Sequence, residues 1–394
     1  MHIQSIMPAV AANPALFDCL AVVTPGLEAL ALADAQRAGV QASIGEGGLV
    51  WTGDARRALL ANATLRIASR VIVRLASFEA RSFVELERHA RLVAWGRVVK
   101  PGSAVRFRVT CKKSKLYHSD AVAQRVADAV SRAVVGVRAE GATVGDEEVG
   151  EEEASALIVV RMMRDHCTIS ADSSGALLHR RGYRQATAKA PLRETLAAAL
   201  IEASGWDGVA PLVDPLCGSG TIPIEAALRA RELAPGLGRT FAMEQWPSVS
   251  PTLGARVRSE LAKAGRPSAA GPIVGSDRDA GAIEAATANA DRAGVSADVA
   301  FAVRSISAAD FPEGPMGFVV TNPPYGVRVG DTTKVRDLWA QFGRVLRERA
   351  PGWRVALLSP DAALDRQLGF PTRTVATTSN GGIPVRIVAG EVPR

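Results

Sequence analysis

The chain has 394 residues, 47% of them hydrophobic, with 47 Lys and Arg against 40 Asp and Glu and a formal net charge of +7. That length accommodates two or three domains with a proper core, and the basic surplus points toward an anionic partner. Cys19, Cys111, Cys167 and Cys217 are far apart with no C-x-x-C pair, which excludes a zinc ribbon or disulfide framework; no metal is expected, and a reducing cytoplasm is the expected compartment.

No Lys or Arg precedes Arg37, and the apolar stretch at 17–33 contains Asp18 and Glu28, so neither a signal peptide nor a membrane span is expected. Residues 1–14 read as a disordered lead-in. From Phe17 the pattern predicts a strand to Val23, a turn at Thr24-Pro25-Gly26, and a helix over 27–38. A hairpin follows across Gly45 to Gly48, then a helix over 55–61 and a strand over 67–75. The order strand, helix, strand, strand, helix, strand predicts a small ferredoxin-like α+β unit.

Basic charge is concentrated next. From Asp54 to Asp120 there are fifteen Lys or Arg against five Asp or Glu. After a helix over 83–93, residues 104–110 alternate apolar and basic (Val105, Arg106, Phe107, Arg108, Val109), which predicts a strand with one cationic face. Lys112-Lys113-Ser114-Lys115-Leu116-Tyr117 follows at the junction with a helix over 120–134, a composition suited to phosphate contacts from side chains and helix N-terminal amides. The run at 139–155, with seven acids and three glycines, reads as a solvated loop, and a hairpin over 157–163 and 167–171 closes this half.

In the second half Pro191 is placed as the first residue of a helix over 192–203, with Gly205 as its stop. An apolar run at 209–213 delivers Asp214, and the loop Cys217-Gly218-Ser219-Gly220 feeds a helix from Thr221. Glycines let a backbone approach a ligand closely, and a helix N-terminus favours a carboxylate. A second strand, 273–277, ends in Asp277, followed by Arg278 and by Asp279 as a helix cap; a carboxylate in that position accepts ribose hydroxyls. After a third strand at 299–303 stands Ser305.

The stretch Gly317 to Val320 predicts a buried parallel strand, and it ends abruptly in Asn322-Pro323-Pro324-Tyr325. Two prolines lack amide hydrogens and fix φ, so the loop is stiff. The Asn322 side-chain oxygen and Pro323 carbonyl form two acceptors beside the Tyr325 ring, a set suited to a planar ring bearing an exocyclic amine. A helix over 333–349, a strand at 354–359, and a hairpin turning at Asn380-Gly381 complete the chain.

Together the loops at 214–221 and 322–325 resemble those of class I S-adenosylmethionine (SAM)-dependent methyltransferases acting on an exocyclic amino nitrogen. With Pro25-Gly26-Leu27-Glu28, the run 65–71, Lys113-Ser114-Lys115-Leu116, Asp172-Ser173-Ser174-Gly175 and Arg181-Gly182-Tyr183-Arg184, the chain from Phe17 onward resembles the THUMP-domain RNA guanine-N2 methyltransferases. The resemblance implies a ferredoxin-like region at 1–56, a THUMP RNA-binding domain at 57–170, a linker at 171–190 and a Rossmann-like methyltransferase domain at 191–394. It implies SAM held by Asp214, Cys217, Gly218, Ser219, Gly220, Thr221, Asp277, Arg278, Ser305 and Asn322, and catalysis at Asn322, Pro323, Pro324 and Tyr325. RNA is expected at Arg106, Arg108, Lys112, Lys113, Ser114 and Lys115. The family commonly has an acid where this chain has Ser305, leaving Ser305 or Asp310 to meet the adenine amine. The implied reaction is methylation of guanine N2 in 23S ribosomal RNA; a tRNA target, a DNA amino-methyltransferase and a non-catalytic RNA-binding factor are the alternatives.

Overall fold

A computed structural model of the protein describes residues 16–144, 155–185, 192–325 and 332–394. The lead-in at 1–14, most of the acidic run, Lys189 and Pro191 lie outside the described residues.

The first half comprises β1 (Phe17–Val22), α1 (Glu28–Arg37), β2 (Ser43–Gly45), β3 (Gly48–Gly53), α2 (Ala55–Thr64), β4 (Arg70–Glu79), α3 (Phe83–Arg91), β5 (Ala104–Lys112), α4 (Ser119–Ala133), β6 (Arg138–Val144), β7 (Ser155–Met163) and β8 (His166–Asp172). All eight strands join one sheet, in the order β2-β3-β1-β4-β8-β7-β5-β6. The first four reproduce the expected ferredoxin-like arrangement. The ten-residue β4 carries the sheet onward: its start pairs with β1, Arg70 opposite Val22, while Ile72 to Glu79 pair with β8 around a bulge between Arg74 and Ala76. Residue 56 falls inside α2, whose N-terminus Asp54 caps by accepting from the Arg57 amide at 2.8 Å. The two N-terminal units therefore share a continuous sheet. Residues 139–144, expected within a loop, instead form most of β6, because β5 offers them a parallel edge from Ala104–Arg138 to Val109–Val144.

The second half comprises α5 (Glu194–Ser204), β9 (Leu212–Asp214), α6 (Thr221–Ala230), α7 (Leu253–Ala264), β10 (Ile273–Asp277), α8 (Ala280–Ala293), β11 (Val299–Val303), β12 (Phe318–Thr321), α9 (Thr332–Arg349), β13 (Arg354–Ser359), α10 (Ala362–Gln367), β14 (Thr372–Asn380) and β15 (Ile383–Glu391). The sheet order is β11-β10-β9-β12-β13-β15-β14, parallel through its first five strands, with β15 antiparallel to both neighbours. The chain steps outward from β9 to β10 and β11, then crosses back to β12 on the other side of β9. This reversal opens a crevice at the carboxyl ends of β9 and β12, where ligands of such sheets bind. β9 begins later than its apolar run because Asp207 Oδ1 accepts from the amides of Val209 (2.9 Å) and Ala210 (2.8 Å), turning the chain before Pro211.

The halves are packed together, α1 against α5 and α2 against α7. The described part of the stretch expected as a linker, 171–185, is largely buried. Ser173 and Ser174 exchange hydrogen bonds with the Asn62 amide at 2.9 and 2.6 Å, and Arg181 donates to the Arg66 carbonyl at 2.6 Å. A buried polar group is tolerated only when paired, so these bonds fix the segment's path.

Candidate active site

Asp214 is the last residue of β9 and only 1% exposed. Its Oδ1 accepts from the Thr321 hydroxyl at 2.6 Å and from the Leu216 amide at 3.2 Å. Burial pushes this carboxyl up to about 7, against the pull of those donors, and Asp277 adds to the rise. Because Thr321 ends β12, the bond ties the Gly-rich loop to the Asn-Pro-Pro-Tyr loop at their roots.

The Gly-rich loop is held from below. Asp277 Oδ2 accepts from the Gly218 amide at 3.0 Å, its Oδ1 accepts from the Asp279 amide at 3.0 Å, and the Cys217 amide donates to the Ser276 carbonyl at 2.9 Å. Gly218 and Gly220 both have positive φ, +51° and +82°. A Cβ on Gly220 would strike Ala286 and the Phe301 ring at 2.9 Å, whereas one on Gly218 would enter open space. The turn is thus packed tightly on its protein side and left clear above Gly218, where a ligand would approach. Gly220 caps α6 without a side-chain bond, so the first-turn amides are offered to an anion, as the carboxylate of a methionine moiety requires. Ser219 and Thr221 are buried in the same turn. The Cys217 thiol is raised well above its usual value by burial, then by Asp214 and Asp277, so it stays protonated and cannot serve as a nucleophile.

Asp277 is half-buried with Arg278 exposed beside it, and Asp279 caps α8 through Gly281 (2.9 Å) and Ala282 (3.3 Å), as its sequence position predicts. Ser305 is exposed just beyond β11, its hydroxyl 3.0 Å from that of Ser307. Asp310 is exposed and paired with Arg304 at 3.3 Å.

Asn322 follows Thr321 directly, and its Oδ1 is buried without a hydrogen-bond partner among the described residues. An unpaired buried acceptor is costly, and at this crevice it is poised for an incoming N–H. Pro323 is buried, and the carbonyl of the exposed Pro324 accepts from Trp339 Nε1 on α9 at 3.3 Å. Tyr325 is half-buried, its hydroxyl accepting from Asn380 Nδ2 at 2.7 Å, so the hairpin turn of β14 and β15 fixes the ring. Sequence reading missed Thr321, Trp339, Asn380 and Asn289, whose amide donates to the Ser219 carbonyl at 3.0 Å. Asn289 alone carried a signal, since Asn is a poor choice for a helix interior.

The basic residues lie on the other sheet. Arg106 and Arg108 are half-buried on β5; Lys112 is exposed at its last position, and Lys113 and Lys115 are exposed in the loop after it. Ser114 braces that loop, its hydroxyl donating to the Lys112 carbonyl (3.1 Å) and accepting from the Asp165 amide (3.0 Å). Asp165 in turn accepts from the Lys115 amide at 2.7 Å. The lysines therefore project from a preformed turn. Among the described residues no His, Cys, Asp and Glu grouping could hold a metal ion, and no helix is long and apolar enough to cross a membrane.

The sheet order, the uncapped Gly-rich turn and the stiff Asn-Pro-Pro-Tyr loop define a Rossmann-like methyltransferase. The profile of the RMKL-like methyltransferase domain family (UPF0020) matches residues 181–386, and that of the RlmL ferredoxin-like domain matches 18–72. A Synechocystis sp. protein named "Putative RNA methyltransferase slr0064" is 34% identical over 378 residues, spanning 94% of this chain and 96% of that one. A solved Listeria monocytogenes protein described as a "predicted N6-adenine-specific DNA methylase" superposes with a TM-score of 0.83 at 31% identity, covering 96% of this chain and 97% of that one. A solved protein described as "SMU.472, a putative methyltransferase complexed with SAH" (S-adenosylhomocysteine) gives 0.83 at 27% identity, over 96% and 99%. The chain belongs to the RMKL-like methyltransferase family, with an RlmL-type ferredoxin-like domain at its N-terminus.

Proposed function

We propose that the protein methylates the exocyclic N2 of a guanine in RNA, foremost in 23S ribosomal RNA, using SAM. The observation that carries this reading is the buried Asn322 Oδ1, without a hydrogen-bond partner among the described residues, on a loop anchored at Thr321, Pro324 and Tyr325. Bound SAM supplies a methyl group made electrophilic by its sulfonium. The cofactor residues are Asp214, Cys217 to Thr221, Asp277, Arg278, Ser305 and Asn322, with Asp310 turned toward Arg304.

A guanine amine is a poor nucleophile because its lone pair is delocalised into the ring. Asn322 Oδ1 and the Pro323 carbonyl accept its two hydrogens and favour the geometry that frees the lone pair. Pro324 stiffens the loop, and Tyr325 stacks on the base. As the new N–C bond forms, the methyl's bond to sulfur breaks to leave S-adenosylhomocysteine, and the amine sheds one proton past Asn322 to water. Positioning and exclusion of water do most of the work, and no metal is required. A paired guanine cannot reach such a crevice, so the target nucleotide is unpaired or flipped out.

In this reading residues 57–170 are a THUMP domain that binds RNA, continuous with the ferredoxin-like region at 1–56 and joined through 171–190 to the catalytic domain at 191–394. Lys112, Lys113 and Lys115, with Arg106 and Arg108 behind them and Ser114 holding the turn, meet the phosphates. The name of the Synechocystis relative supports an RNA substrate, and a cytoplasmic setting suits it. The Listeria relative's description favours a second reading, adenine N6 in DNA. Labelled methyl transfer from SAM to ribosomal RNA, tRNA and DNA lacking the modification decides between them: label in RNA supports the proposal, and label confined to DNA overturns it.

A further inference from the structure

The segment entering the catalytic domain grips both helices that frame the Gly-rich loop. Tyr183 is buried; its hydroxyl donates to Glu225 Oε1 on α6 at 3.2 Å, and its carbonyl accepts from Arg292 Nε on α8 at 2.7 Å. Arg292 also donates to Asn289 Oδ1, and Asn289 Nδ2 donates to the Ser219 carbonyl at 3.0 Å. Asn289 is 0% exposed and both halves of its amide are paired, Nδ2 with the Ser219 carbonyl and Oδ1 with the guanidinium of the otherwise exposed Arg292. Arg292 fixes which way the Asn289 amide points, and Asn289 fixes the Ser219 carbonyl between Gly218 and Gly220.

We infer that Asn289 and Arg292 are positioning residues for the cofactor loop, forming a relay by which Tyr183 of the connecting segment holds that loop in its binding shape. This rests on the cofactor reading above. Without the relay, the Ser219–Gly220 peptide is held only on its amide side, by the Gly220 N–H to the Cys217 carbonyl at 2.9 Å, and the left-handed glycines on either side lower the cost of shifting its carbonyl. The loss is one of pre-organisation, so it falls on cofactor affinity rather than on turnover at saturating SAM.

The test is calorimetric titration of SAH into the full-length protein and variants. Asn289→Ala is expected to weaken SAH roughly 10-fold and Arg292→Ala about threefold, because the exposed arginine acts through the buried amide. The double variant should be no weaker than Asn289→Ala alone, the non-additivity expected of residues acting in series. Turnover at saturating SAM stays within about threefold, a split between KM and kcat that general loosening would not give. Asn62→Ala, which also cuts buried bonds in the connecting segment but lies outside the relay, should lower thermal stability and leave SAH affinity within about twofold. If Asn289→Ala fails to fold, the surface variant Arg292→Ala decides. Unchanged SAH affinity in the variants, or additive losses in the double variant, overturns the relay; failure of the wild type to bind SAH overturns the cofactor reading itself.

Discussion

The Thr321 hydroxyl donates to Asp214 Oδ1 at 2.6 Å, across 107 residues of sequence, and so locks the ends of β9 and β12 together where the sheet reverses direction. Thr321→Val keeps the shape and removes the donor. It leaves a fully buried carboxyl short of a partner, and a loss of about 1–3 kcal/mol in unfolding free energy is expected by denaturant titration. An unchanged midpoint and slope would mean that the bond holds nothing.

The same pair makes a pH prediction. Burial raises the Asp214 carboxyl to about 7 in the folded protein, from 3.8 for an ordinary Asp side chain. An acid with a raised folded pKa holds its proton more tightly in the folded state, so its stabilising contribution is complete below about 3.8 and is lost as pH rises through about 7. Asp214→Asn retains the acceptor for Thr321 without the charge. The stability of this variant relative to wild type should therefore climb between pH 4 and pH 7.5 and level off above; a flat difference would contradict the shifted carboxyl.

Tyr325 separates stacking from anchoring. Tyr325→Phe removes the hydroxyl that Asn380 holds but keeps the ring, while Tyr325→Ala removes both. The alanine variant should raise KM for RNA by roughly 5- to 150-fold, the range expected for losing one base–aromatic stack, with phenylalanine recovering most of it. Equal losses in both would assign the residue's value to the Asn380 bond.

The loop after β5 acts on affinity through charge. Replacing Lys112, Lys113 and Lys115 together by Ala should reduce the slope of log K against log salt by about 2 and leave SAH binding intact, since each phosphate contact contributes about 0.7–0.9 to that slope. A slope equal to the wild type's would move the RNA contact elsewhere.

Much of this architecture was legible in the residues. Alternating or apolar runs bounded by Gly and Pro gave most strands, and the Gly-rich and Asn-Pro-Pro-Tyr loops singled out in the sequence stand together at the carboxyl ends of β9 and β12. What stayed hidden is of three physical kinds. Side-chain turns shift boundaries, as Asp207 does at the start of β9. An available sheet edge recruits a polar segment, as β5 does for 138–144. Long-range partners such as Thr321, Trp339 and Asn380 become visible as such only when the fold brings them to the loops. Residues 171–190 read as a linker because their basic side chains look solvated in sequence, yet within them Arg181 and Tyr183 are buried against Glu225.

The most direct test of the account is nucleoside analysis of RNA methylated by the wild type and by Asn322→Ala, with SAH affinity measured alongside. The account predicts N2-methylguanosine from the wild type, a rate about 100-fold lower or worse in the variant, the scale expected when a reacting group loses its positioning, and SAH binding little changed. A methylated base other than guanine, or an Asn322→Ala enzyme as fast as the wild type, would contradict it.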